Sequence, residues 1–373
     1  MGGTAVVSQW EEMTNERALK VFLTHSIAEL GDIPLGMFND IARAQVRLRS
    51  NPESPLELAS LATHFYLVDD PSVADIHLLP LLWNWYLESS HLGFVKEAAE
   101  QGRKWGKPVV LFSAGDHTAS VPCSGLTIFE PCAYRSRRFQ NGNAVFAMPP
   151  FIADFVKLYC NGELPLRQKG KRPVVGFCGL AGGRPHRYAY RLFKLRLNWL
   201  AYRTGARKWE PPPFEPSLLR RRVLAQLQRS QDVVSNLLIR GRYRAGYRAK
   251  KKDTFHTTRM EYVQNMLDSD YIVCMRGGGN FSVRFYETLS MGRIPIFVDT
   301  DCLLPYDHII DYENYMPWVK SSEIRNIAQI VHDFHYSFSA DDFRELQVQC
   351  RALWVNYLSR DGYWRHFHLH FHK

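Results

Sequence analysis

Short apolar runs alternate along the chain with longer stretches in which apolar residues return every third or fourth position, a pattern that predicts strands separated by helices. Toward the N-terminus, residues 19–24 (LKVFLT), 75–79 (DIHLL), 108–113 (PVVLFS) and 144–148 (AVFAM) read as strands, with an amphipathic helix over 94–101. These runs lack a polar alternate face. Strands of that kind are covered on both sides, so they predict a parallel sheet flanked by helices. Residues 161–172 (NGELPLRQKGKR) are polar and contain Gly and Pro, which marks a domain boundary. Beyond it the alternation resumes, with strands over 174–178, 233–239, 271–275 and 294–298 and helices over 188–202, 217–230, 259–267 and 281–290. Prolines at 211–213 predict a loop, and helices close the chain. The expected organisation is α/β, with one domain over 1–165, a second over 166–345 and a helical segment over 346–373.

A length of 373 residues supports two domains that each bury a core, and 46% hydrophobic against 23% charged residues excludes a disordered or fibrous chain. The apolar stretch 76–87 (IHLLPLLWNWYL) falls short of the ~20 residues of a spanning helix, so no membrane span is expected. Nothing ahead of Arg17 resembles a secretory signal, which makes the cytoplasm the expected compartment, or the Golgi lumen if an N-terminal anchor has been removed. The 7 cysteines are scattered without a C-x-x-C pair and read as core thiols rather than as a disulfide or zinc framework.

The net charge of +10 is local in origin: residues 184–259 hold 20 Lys/Arg against 4 Asp/Glu, and the remainder of the chain is acidic. Such a stretch attracts phosphates or acidic glycans, or forms a solvated helix face. A nucleic-acid surface built on Tyr243, Tyr247 and Phe255 among Arg242, Arg244 and Arg248 is the weaker reading, because it leaves the motif described next without a role.

That motif is residues 270–301, DYIVCMRGGGNFSVRFYETLSMGRIPIFVDTD. A strand runs into Arg276-Gly277-Gly278-Gly279-Asn280, and a helix follows. Consecutive glycines let backbone N–H groups approach a ligand, and a helix N-terminus adds about half a positive charge, so the segment forms an anion cradle. Ser282 suits the N-cap, Arg276 and Arg284 can reach a diphosphate, and Glu287, three residues after Arg284 on the same helix face, can accept from ribose hydroxyls.

The string from Arg276-Gly277 through Arg284-Phe285-x-Glu287-x-Leu289-x-x-Gly292-x-Ile294-Pro295 resembles the C-terminal signature of the exostosin-like glycosyltransferases, family 47. Lys20–Leu23, Ala74–Leu81, Ser113–His117, Met148–Phe151, Gly176–Gly179, Leu304–Tyr306 and Ile310–Tyr312 resemble further elements of that family in the same order. The resemblance implies a fold of the glycosyltransferase B type, two Rossmann-like domains with parallel sheets facing a central cleft. It implies inverting transfer from a nucleotide diphosphate sugar, with a UDP-sugar as the expected donor, to an oligosaccharide or polysaccharide hydroxyl, without an obligatory metal. Gly179, Arg184, Arg276, Gly277, Asn280, Ser282, Arg284 and Glu287 would line the donor site. Gly278 and Gly279 stand where other members carry basic residues, and Arg184 and Arg187 are candidates to supply the missing charge. Asp299-Thr300-Asp301 has the form of a metal-binding Asp-x-Asp, but its late position argues for a sugar contact or a turn cap. The sequon Asn280-Phe281-Ser282 falls inside the donor loop, where a glycan would obstruct it.

Inversion needs a base on the opposite side of the anomeric carbon, hence from the first domain. Asp116 and then His117 follow the strand over 108–113 at the edge where parallel sheets place functional loops, and His25 with Asp75 is a weaker pair for the acceptor side. A catalytically silent relative serving as partner subunit is the alternative function, and a homodimer or heterodimer is compatible with either reading.

Overall fold

A computed structural model of the protein describes residues 18–26, 33–44, 61, 63–116, 118, 120–181, 185–241 and 252–371. Two sheets organise it. The first contains β1 (Leu19–Leu23), β2 (Phe65–Leu67), β3 (Ile76–Leu78), β4 (Val109–Phe112), β5 (Leu126–Glu130), β6 (Phe139–Gln140) and β7 (Asn143–Ala147), in the spatial order β2-β1-β3-β4-β5-β7-β6. Every pairing in it is parallel except that of β6 with β7. The second contains β8 (Val174–Leu180), β9 (Val234–Arg240), β10 (Tyr271–Cys274), β11 (Ile294–Asp299) and β12 (Trp318–Lys320), all parallel, in the order β12-β11-β10-β8-β9. The chain is thus mixed α/β with two parallel-sheet domains. Strands β4, β10 and β11 are buried at every position, as continuous apolar runs require.

The helices are α1 (Trp83–Glu88), α2 (Leu92–Trp105), α3 (Phe155–Tyr159), α4 (Pro185–Arg203), α5 (Pro216–Arg229), α6 (Lys252–Leu267), α7 (Val283–Ser290), α8 (Ile327–Tyr336), α9 (Ala340–Leu353) and α10 (Arg360–Arg365). Their ends follow local chemistry. Helix α2 stops at Gly106, whose φ of 63° is the left-handed cap that glycine adopts without penalty, and Arg103 and Lys104 complement its dipole. Helix α9 starts with a capping box between Ser339 and Asp342.

The last helices return to the first sheet. Trp364 and Phe367 pack on Phe65 and Phe112, and Phe367 also meets Phe129 at 4.8 Å between ring centroids. One continuous core therefore runs from Leu19 to Phe367 and joins both sheets, while a smaller one around Trp83, Tyr86 and Val95 covers the other face of the first sheet.

Between the two halves, the segment 133–138 lies along 299–307. Arg135 pairs with Asp299 at 3.1 Å, Ser136 bonds Asp301, and Arg138 pairs with Asp307. Arg137 turns the other way, to a two-pronged bond with Glu210 at 2.6 and 2.8 Å. Both carboxylates of the Asp-x-Asp sequence are thus engaged with the first domain.

Candidate active site

Strand β10 delivers the chain into the glycine loop at the carboxyl edge of the second sheet, and α7 leaves it with Ser282 as N-cap residue. Strand β4 does the same for Asp116 at the carboxyl edge of the first sheet. The two edges meet. A Cβ added to Gly278 would lie 3.3 Å from Asp116 Oδ2, and one added to Gly279 would lie 2.5 Å from Cys132 Sγ and 2.7 Å from the Phe281 ring, so position 279 admits a larger residue only if those side chains shift. His117 and Arg184 lie outside the described residues, as do the loop residues 242–248 of the nucleic-acid reading.

Arg276 is buried at the end of β10. Its guanidinium donates to Asn280 Oδ1 at 3.0 Å, to the Tyr134 hydroxyl at 3.2 Å and to Gly278 O at 3.3 Å, and stacks over the Phe214 ring. Asn280 in turn donates to Ala133 O and Asp301 O, so its side chain ties the glycine loop to both domains. Gly277 donates its N–H to Phe281 O, and Arg220 of α5 passes beside it to reach Arg276 O at 2.9 Å. Ser282 is buried, and its hydroxyl makes no cap bond.

Arg284 turns beneath the loop. It donates to Cys178 O at 2.8 Å and Val273 O at 3.4 Å, with its guanidinium 4.2 Å from the centre of the Phe177 ring. Gly179 makes that possible, because a Cβ there would lie 2.7 Å from Arg284 Nη2. Glu287 accepts from Arg259 Nη1 at 3.3 Å and from the Tyr262 hydroxyl, which burial and the adjacent carboxylate hold protonated. Glu287 thus pairs with Arg259, and Arg284 lies close enough to feel its charge. Both Arg276 and Arg284 retain a buried Nε–H without a partner, the kind of unsatisfied donor that a bound anion would satisfy.

His25 and Asp75 are not brought together. Asp75 accepts from Lys20 N at 2.8 Å near the start of β1, whereas His25 lies past its end, against Phe94 and lowered by burial to a pKa of about 4.

Beside the Asp116 loop lies an open cleft lined by Trp83, Thr118, Tyr134, Asn141, Tyr202 and Glu210 among others, with Glu130 at its wall. Tyr134 connects it to Arg276. Burial pushes the Glu130 carboxyl up to about 8; Arg137 pulls it down, and Glu210 adds to the rise. A carboxyl so displaced, in a cleft with aromatic and amide side chains, is a candidate functional group that sequence reasoning missed. Its signal was present in Leu126-Thr127-Ile128-Phe129-Glu130-Pro131, an apolar run ending on an acid just before a proline.

No family profile matches the sequence, and no curated protein does. Among solved structures, the chain is similar to a glycosyltransferase from Rickettsia africae ESF-5 at 9% identity, covering 95% of this chain and 98% of that one, with a TM-score of 0.34. It is similar to TarM at 10% identity, covering 90% and 59%, with a TM-score of 0.35. It is also similar to the spinosyn rhamnosyltransferase SpnG complexed with thymidine diphosphate, at 11% identity, covering 94% and 100%, with a TM-score of 0.30. Likenesses this distant carry no weight for the activity.

Proposed function

We propose that the chain is an inverting glycosyltransferase that moves a sugar from a nucleotide diphosphate sugar, with a UDP-sugar as the donor class, to a hydroxyl of an oligosaccharide or polysaccharide. The observation that carries the reading is the meeting of Asp116 with the glycine loop, which sets a carboxylate from one domain against an anion cradle of the other. In this mechanism the donor diphosphate lies at the N-terminus of α7, its charge balanced by the helix dipole and by Arg276 and Arg284. Asp116 accepts the acceptor's hydroxyl proton as the new bond forms at the anomeric carbon and the bond to the diphosphate oxygen breaks opposite it. Glu287 holds the nucleoside side of the donor, and the Glu130 cleft takes the acceptor sugar, with the protonated carboxyl donating to one of its hydroxyls. Charge balance by guanidiniums leaves no step that requires a metal.

A second reading has its own observation. Arg284 and Glu287 are already bonded to groups of the protein, which suits a catalytically silent partner subunit. Calorimetry with UDP-, GDP- and dTDP-sugars tests the proposal. Binding of at least one, with release of the nucleoside diphosphate when glycan acceptors are added, is expected. Binding without turnover favours the silent reading, and no binding by any donor overturns both.

A further inference from the structure

Among the described residues, nothing covers one face of helix α4. Tyr190, Leu192, Phe193, Leu197 and Leu200 are between 41 and 65% exposed, values that scattered surface residues of this size rarely share along one helix. At 100° per residue, Tyr190, Phe193, Leu197 and Leu200 fall within an arc of about 80°. Lys194 flanks the arc on one side and Arg196 and Arg203 on the other, all three exposed. The helix contains no Asp or Glu. Its inner side is anchored: Tyr188 is buried and bonds Ala181 O, Arg191 bonds Ser217, and Trp199 bonds Pro212 O. The outward position of the apolar row is therefore fixed by packing on the other side.

We propose that α4 is an interfacial helix that seats the protein on an anionic phospholipid surface. An apolar stripe with basic residues at both margins matches the boundary between acyl chains and headgroups, where the stripe sinks ~5–10 Å and the cations meet lipid phosphates. Among the described residues no helix is long and apolar enough to cross a membrane, so the contact is parallel to the surface. A second copy of the chain is a poor occupant, because a symmetric pairing would set Lys194, Arg196 and Arg203 against their own kind with no carboxylate on either helix.

The test is co-sedimentation of the full chain with extruded vesicles of phosphatidylcholine alone and of phosphatidylcholine with 30% phosphatidylglycerol, a fraction on the order of that in anionic membranes. Binding to the anionic vesicles, weakened at least about tenfold by high salt and by the pair F193E/L197E, is expected. These side chains are exposed, and unchanged circular dichroism shows that the pair still folds; K194E/R196E, which leaves the stripe intact, gives a second route to the same loss. Failure to bind anionic vesicles, equal binding to both lipid compositions, or self-association in the ultracentrifuge that F193E/L197E abolishes would each overturn the proposal.

Discussion

Replacing Glu130 with Gln keeps the shape of the side chain and removes its titration. In the wild type the folded carboxyl ionises near pH 8 because burial disfavours the charge, against an ordinary value of 4.5. A carboxyl raised in this way contributes stability that is complete below its unfolded pKa and is lost as pH rises through the folded one. The full displacement corresponds to at most about 5 kcal/mol, of which roughly 2–3 kcal/mol is lost between pH 5 and 7 and a further 1–2 kcal/mol by pH 9. The neutral variant lacks this loss. Its urea midpoint should match that of the wild type at pH 5, apart from a constant offset, and exceed it progressively at pH 7 and 9, followed by tryptophan fluorescence with Trp83 in the same cleft. Buried histidines such as His25 and His335, which burial pushes below their ordinary value, act in the acid range in both proteins and cancel in the difference. A difference that stays flat from pH 5 to 9 would refute the argument, since Glu130 would then ionise as a solvated carboxylate.

Asp116→Asn should leave donor affinity unchanged, because the donor contacts lie in the other domain, and lower turnover by ~10²–10⁴-fold; retained turnover, measured by nucleoside diphosphate release, removes Asp116 as the base. Glu287→Gln keeps a partner for Tyr262 but loses the charge facing Arg259, so the fold should survive, as judged by circular dichroism, while transfer is abolished. Near-normal transfer in that variant would sink the donor assignment. Chelation with EDTA should leave transfer largely intact, and a complete loss that manganese restores would give Asp299 and Asp301 a role beyond their bonds to Arg135 and Ser136.

Most of the long strands and helices were legible in the sequence, the strands as continuous apolar runs and the helices by their period, but the central strand β5 was missed because Thr127 and Glu130 break its run. Strands β2 and β12, with 3 residues each at the sheet margins, are too short to show one. The hairpin of β6 and β7, turning at Asn141-Gly142 with the φ values of 53° and 72° of a tight primed turn, was not read from the sequence, because its short first arm, Phe139–Gln140, is exposed and has no pattern. The strand–glycine–helix unit could be read because its chemistry is contiguous. What Arg284 and Glu287 bond to could not, since Cys178, Tyr262 and Arg259 reach them from other elements. Glu130 stayed hidden for a related reason: its displaced ionisation depends on burial and on Arg137 and Glu210, and the latter belongs to the other half of the chain.

The packing of Trp364 and Phe367 against Phe65, Phe112 and Phe129 bears on how the protein is made. Domains ordinarily fold as they leave the ribosome, N-terminal first. Here the first sheet emerges with part of its aromatic core uncovered, and the residues that close it are translated after the whole of the second sheet. During that interval the nascent chain presents an apolar surface to any chaperone or unfinished neighbour. Truncation within α10 would prolong that exposed state indefinitely, so the damage should appear as aggregation of the first domain, far in sequence from the lesion.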